Sequence, residues 1–263
     1  MKRLLSLVVG LACVLGLFVP IAAQTPPPAE YVTVASVKVK PAAVADFEDY
    51  LKKLNAAGLK IGLKVRADTY QVVQGGSPFE YNVVSGFQTL AELGAVPGVP
   101  AILTKALGEA EGGKVMRAGR TAIESVEFST LRYLADMSTK PRLPIASPFF
   151  QLVMVEIDPQ MAAEYTDYLR KSKVAGDKFA GAPTTLRHNN TFGPAFVYLS
   201  AQPYNTWAER EKWAGPQAPL AAAYGEAEAA KLVAVNTRAT RARTIRIVAH
   251  RPDLSRIPTG GTY

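Results

Sequence analysis

Asp49-Tyr50-Leu51-Lys52-Lys53 returns as Asp167-Tyr168-Leu169-Arg170-Lys171, with four of five residues identical and a spacing of 168 − 50 = 118. Upstream of this stretch, Pro41 matches Pro159, Phe47 matches Tyr165, Val37 matches Val155 and Val39 matches Ile157, all at the same spacing. Downstream, Phe79, Tyr81, Phe87, Ala91 and Glu92 fall on Phe196, Tyr198, Tyr204, Ala208 and Glu209 at a spacing of 117, so one residue is lost in a loop or bulge between them. Gly108-Glu109-Ala110-Glu111 returns as Gly225-Glu226-Ala227-Glu228, Lys114 as Lys231, and Asp136 with Ser138 as Asp253 with Ser255. The chain reads as one unit written twice, and the repeat decides the architecture.

Within the first unit, Tyr31 to Val39 alternates in β-formers and predicts a strand. Pro41 opens a helix, where its missing N–H costs nothing, and Val44, Phe47, Leu51 and Leu54 mark the apolar stripe. Thr69 to Gln74 and Glu80 to Ser85 form a hairpin through Gly75-Gly76-Ser77-Pro78. A helix is expected from about Ile102 to Arg120 and a closing strand over Ser125 to Tyr133. The second unit repeats the order. Phe149 to Ile157 is the strand, Asp158 caps and Pro159 starts a helix with the stripe Ala162, Tyr165 and Leu169, and Leu186 to Thr191 with Ala195 to Ala201 is the hairpin. Thr206 to Trp213 reads as a short helix, Leu220 to Thr237 as one long alanine-rich helix and Thr244 to Ala249 as the last strand. Strand, helix, strand, strand, helix, strand is the ferredoxin-like pattern, an α+β fold with helices on one face of an antiparallel sheet.

The remaining segments bound the setting. Met1 to Ala23 has Lys2 and Arg3, an apolar run from Leu4 to Val19 and a small-residue end, which reads as a signal peptide; a retained anchor is the alternative. A Pro-rich tether over 24–30, unit 1 over 31–140, a linker over 141–148, unit 2 over 149–255 and a tail over 256–263 complete the division. Cleavage would remove Cys13, the single cysteine, leaving no disulfide and no thiol ligand or nucleophile. It would also lower the formal charge from +8 to +6 with the loss of Lys2 and Arg3, too modest to indicate a nucleic-acid partner. The expected place is exported, periplasmic or extracellular, with no stable membrane insertion after cleavage and oligomerisation open.

Two such units, each with a helical face and an open sheet face, resemble the dimeric α/β-barrel superfamily, in which two sheets pack face to face. The resemblance runs from about Tyr31 to Ser255 and makes the chain a fused pseudo-dimer. It rests on element order and the duplication. It implies relatives that include cofactor-free monooxygenases, isomerases, dehydratases, haem enzymes of the chlorite dismutase kind, NIPSNAP-like proteins and plain binding proteins, among which the fold does not choose.

Strand parity points to a site. In the closing strands Phe128 and Thr130, with Ile245 and Ile247, form the more apolar parity and are expected to face the helices. Glu127, Ser129, Leu131 and Tyr133, with Thr244, Arg246, Val248 and His250, would then enter the space between the sheets. Arg187-His188-Asn189-Asn190 is the densest polar run, and its counterpart Tyr70-Gln71-Val72-Val73 is mostly uncharged. The expected ligand-binding set is Arg187, His188, Asn189, Tyr198, Arg246 and His250, on the unit-2 side of the inter-sheet space, with His188 as the candidate base. A histidine near a strand end is more often a hydrogen-bonded structural residue, and the two histidines without clustered carboxylates give no metal site and no haem axial motif, so no cofactor is expected. Trp207 and Trp213 could roof a pocket or anchor a core, while Arg238, Arg241, Arg243, Arg246 and Arg251 suit a solvated face. Asn189-Asn190-Thr191 matches a glycosylation sequon by a pattern short enough to arise by chance.

Three readings follow. The first is a small-molecule-binding protein. The second is a cofactor-free monooxygenase- or isomerase-like enzyme on an apolar or aromatic compound, with His188 as base. The third is a structural or assembly module. A cavity between the sheets is needed by the first two readings, a packed interior fits the third, and His188 turned away from such a cavity removes the second in this form.

Overall fold

The computed structural model describes residues 28–139, 147–213 and 215–259. The signal peptide read over 1–23, the tether as far as 27, the linker residues 141–146 and the end of the tail from 260 lie outside the described residues.

The element order is β1 (Tyr31–Val39), α1 (Val44–Lys60), β2 (Asp68–Gln74), β3 (Glu80–Phe87), α2 (Leu90–Gly94), α3 (Val99–Leu107), α4 (Glu109–Ala122) and β4 (Ile123–Tyr133), then β5 (Phe149–Ile157), α5 (Ala162–Lys178), β6 (Leu186–Phe192), β7 (Val197–Tyr204), α6 (Trp207–Glu211), α7 (Gln217–Tyr224), α8 (Glu226–Ala239) and β8 (Thr240–His250). Element starts recur at the sequence spacing: 149 − 31, 162 − 44 and 186 − 68 give 118, while 197 − 80 and 240 − 123 give 117. The lost residue falls in the hairpin turn, which spans 75–79 in the first half and 193–196 in the second.

Two expected helices are each broken in two. The stretch from Ile102 to Arg120 divides between α3 and α4 at Gly108, and Leu220 to Thr237 divides between α7 and α8 at Gly225. Both glycines sit at positive φ, +82° and +83°, a conformation that ends a helix and that side-chain-bearing residues avoid. The glutamates after each glycine then occupy the first turn of a new helix, where negative charge is favoured. The repeated Gly-Glu-Ala-Glu is therefore a helix boundary.

All eight strands close into one antiparallel barrel in the order β1-β3-β2-β8-β5-β7-β6-β4. The expected facing sheets are thus joined edge to edge. Tyr70 pairs with His250 and Val72 with Val248 at one seam, and Tyr133 pairs with His188 and Leu131 with Asn190 at the other. Closure removes the unpaired edges that a four-stranded sheet leaves. Helices pack on the outside over two cores. One holds Val37, Phe47, Leu51, Tyr81 and Leu103, and the other holds Val155, Tyr165, Leu169, Leu220 and Leu232. A third cluster, Tyr70, Val72, Phe150 and Val248, lies in the barrel interior, with the Tyr70 and Phe150 rings edge-on at 5.4 Å.

The segments after β4 and β8 each cross to the other half. Leu134 N–H donates to Arg187 O at 2.8 Å and Thr139 N–H to Thr185 O at 3.0 Å, which brings Met137 into the α5 core. Reciprocally, Arg251 N–H donates to Thr69 O and Arg256 N–H to Ala67 O, both at 2.8 Å, and Leu254 enters the α1 core. Arg256, read as the start of the tail, is buried and donates from Nε to Val65 O at 3.0 Å. Asp158 caps as expected, its carboxylate accepting from Gln160 N–H at 2.9 Å.

Candidate functional site

The six expected site residues divide between the two faces of the barrel wall. Successive strand residues point to opposite faces, so Arg187 and His188 cannot share a site. Arg187 faces α5, donating to Leu169 O at 3.3 Å and also to Met137 O. His188 turns inward, its ring 5.5 Å from Tyr133. Asn189 lies opposite Tyr198, whose ring packs outward on Tyr165 at 5.2 Å. Arg246 pairs with Glu80 at 2.8 Å. His250 meets Asp68 at 3.1 Å and the Ser255 hydroxyl at 3.3 Å, beside the Tyr70 ring. Phe128 and Ile245 lie on the outer parity as read, but they stay 77% and 47% exposed.

A cavity of about 280 Å³ lies outside the barrel, between the β8-β5-β7-β6 wall, α5 and the α6–α7 connection. Of the six residues only Arg187 is among its described lining. His188 and Arg246 lie on the interior side of the wall, where the Tyr70–Phe150 cluster also packs. His188 is therefore not placed to act as a base in this outer cavity.

The sheet contributes Val153, Val155 and Ile245 as an apolar floor, and α5 adds Tyr165, Tyr168, Leu169 and Ser172. A polar relay crosses one end. Arg210 donates to Gln151, Gln151 Nε2 to Gln202 Oε1 at 3.0 Å, and Gln202 Nε2 to Thr185 Oγ1 at 3.1 Å. Arg210 also donates to Trp213 O at 3.3 Å, which holds Trp213 at the cavity. Trp207, by contrast, is half exposed and stacks near Phe149.

Three guanidiniums reach the cavity, from Arg187, Arg210 and Arg243, and no carboxylate, histidine, cysteine, lysine or methionine is among its described lining. Arg187 is 9% exposed, and its Nε has no hydrogen-bond partner; the same holds for the hydroxyl of Ser172, 8% exposed. Burial pulls the Arg187 pKa below its ordinary value, opposed by Tyr168, Tyr165 and Asp177. Burial also pushes the Tyr165 phenol well above the usual range, so it stays protonated. Among common haem-iron ligands the described lining offers only the tyrosines Tyr165 and Tyr168, and the protonated state of Tyr165 does not suit that role. No group of three or more histidine, cysteine, aspartate or glutamate side chains that could hold a metal ion occurs among the described residues.

Sequence reasoning missed this site although its signal was present. At the repeat spacing, Tyr165 stands at Phe47, Ser172 at Leu54, Arg187 at Thr69, Ser200 at Val83, Asn236 at Gly119 and Arg243 at Val126. Tyr165, Ser172, Ser200, Asn236 and Arg243 each add a polar group where the first half has none, and Arg187 puts a guanidinium where Thr69 has a hydroxyl. The first-half position is filled instead. Phe47 and Leu254 are fully buried there, and a Cβ placed on Gly58 would meet Arg256 Cδ at 3.0 Å.

His188 has a different consequence. It is buried with Nδ1 unpartnered, and desolvation lowers its pKa from 6.5 to about 4. The unfolded chain therefore binds a proton between pH 6.5 and 4 that the folded chain refuses. Stability should rise with pH across that window and fall on acidification, by up to about 3 kcal/mol from this group. Urea unfolding at pH 7.5, 6 and 5 should show the slope, and His188→Leu should flatten it; an unchanged slope in the variant refutes the assignment.

No protein-family model matches the sequence, and no curated protein is similar to it. Solved structures share its fold. A Lactobacillus acidophilus protein provisionally named a monooxygenase matches at 9% identity and TM-score 0.52, over 89% of this chain and 98% of its own. An anthrone oxidase-like protein matches at 10% and 0.53, over 84% and 92%. A single-residue mutant of chlorite dismutase from Candidatus Nitrospira defluvii matches at 9% and 0.51, over 86% and 93%. What is shared is the fold, an eight-stranded antiparallel barrel with helices on its outside, and identities this low speak to fold alone.

Proposed function

We propose that this chain is an exported small-molecule-binding protein, a tandem duplicate of one ferredoxin-like unit in which the second unit carries the ligand site and the first closes the barrel. The observation that carries the reading is the cavity in the second half, which bears Tyr165, Ser172, Ser200 and Arg243 where the first half has Phe47, Leu54, Val83 and Val126. Recurrence of element starts at 118 and then 117 supports the duplication. The charged and apolar leader before Ala23 supports export.

An enzyme acting by proton transfer fits less well, because the described lining holds no group whose ordinary pKa lies near neutrality. Its tyrosines and arginines hold and orient. The neighbours named for oxidase and monooxygenase chemistry keep an enzyme on an apolar or aromatic compound as the alternative, without His188 as its base.

Ligand-observed NMR with a library of monocyclic fragments tests the reading. Hits should perturb the emission of Trp213, which lines the cavity, and should be lost in Ser200→Phe, which fills it from the sheet. A library without hits, or hits that survive Ser200→Phe, would overturn it.

A further inference from the structure

We propose that the cavity takes a small organic carboxylate, its anionic head received by the Arg187 guanidinium and the Ser172 hydroxyl and its apolar body lying against Val153, Leu169 and Leu220. The inference rests on the small-molecule reading above and adds the chemical class.

Two buried donors are the starting point. Arg187 spends its Nη1 on the carbonyls of Met137 and Leu169, which are neutral, and its Nε is left without a partner. A guanidinium withdrawn from water in this way is costly unless an anion faces it, and none of the described lining supplies one. Asp177 opposes the desolvation of Arg187 through its field and is bridged to Lys173 at 2.6 Å. Ser172 stands three residues after Leu169 on α5, so the second unpartnered donor is one helical turn from the carbonyl that anchors Arg187. Both line the cavity, one from the sheet wall and one from the helix wall.

A carboxylate matches this pair. Its two oxygens accept from a planar guanidinium and still leave lone pairs for a hydroxyl, and charge-assisted bonds of this kind are stronger than neutral ones. Arg210 and Arg243 add positive field from the other walls. Beyond the head, apolar side chains from both walls call for a hydrocarbon body rather than a bare ion. A volume of about 280 Å³ limits that body to one ring or a short chain.

Isothermal titration of the purified chain with benzoate, benzamide and inorganic phosphate separates the terms. Benzoate should bind at least about tenfold more tightly than its neutral amide, and phosphate should not compete with it. Ser172→Ala, which leaves a small apolar side chain in place, should weaken benzoate roughly three- to tenfold, and Arg187→Met should remove measurable binding. Should Arg187→Met fail to fold, for want of its bonds to the crossing segment, Ser172→Ala and the benzoate-to-benzamide ratio still decide. Equal binding of benzoate and benzamide overturns the carboxylate and leaves the cavity reading standing. Phosphate binding as tightly as benzoate overturns the organic body. Failure of all three probes while neutral fragments bind in the cavity overturns the class, whereas failure of the whole fragment library overturns the site itself.

Discussion

Gly75→Val should cost about 4 kcal/mol or more and leave little folded protein, measured as urea unfolding or as soluble yield. Gly75 lies where β2 leaves its pairing with β8, at φ +76°. A Cβ there would sit 2.1 Å from Ile245 O and 3.2 Å from Arg246 Cα, both backbone atoms that a rotamer change does not move. The side chain must either part the β2–β8 seam or force the turn into another conformation, and the seam is one of only two that close the barrel. Gly62 is the control. It has φ +79° but nothing within 4 Å of an added Cβ, so Gly62→Ala should cost only the backbone term, about 1 kcal/mol. Equal losses at both sites would show that the seam tolerates the intrusion.

Phe47→Ala should lower stability by about 3–5 kcal/mol. The ring is fully buried, 5.1 Å from Tyr81 and 6.3 Å from Tyr50 between centroids, in a core also closed by Leu103 and Leu254. A ring packed among buried neighbours leaves a hole that the surrounding structure relaxes into only in part. Its counterpart Tyr165 borders a cavity, and Tyr165→Phe, which keeps the ring, should stay within about 1 kcal/mol. Chemical denaturation of both variants checks the contrast; a loss below about 1.5 kcal/mol for Phe47→Ala would mean that the first half is as loosely filled as the second.

That contrast bears on what the sequence could disclose. Strands β1 and β5 are readable to the residue, because Tyr31–Val39 and Phe149–Ile157 are runs rich in β-forming residues that stop before proline-started turns. The short α2 was also readable, through a capping box. Thr89 accepts from Glu92 N–H at 3.1 Å while the Glu92 carboxylate accepts from Gln88 N–H at 2.8 Å, and Thr206 with Glu209 does the same before α6. Only the second copy was read as a helix. The helix breaks at Gly108 and Gly225 were hidden because apolar periodicity continues across them, and the positive φ appears only in the backbone.

The site was harder to read for a different reason. Parity places Arg187 and His188 on opposite faces from sequence alone, yet charge density drew both into one candidate site. Which face holds free volume is a tertiary matter. It depends on how far α5 stands from the wall, and there Asn236 replaces a glycine whose Cβ would meet the Tyr50 ring at 2.6 Å. In the first half the bare Gly119 lets Tyr50 lie against α4; in the second a side chain stands at that position and lines the gap.

The β2–β8 seam joins Tyr70 to His250, 250 − 70 = 180 residues apart, and the crossing segments bind each half to strands of the other. On the ribosome this means that the first half emerges with the outer edges of both β2 and β4 unpaired and with its core lacking Leu254, which is made only after β8. Contacts so distant form late and slowly, and bare strand edges invite pairing with other chains while they wait. The growing chain must therefore carry a half-built sheet, open at the β4 edge until β6 is made and at the β2 edge until β8 is made.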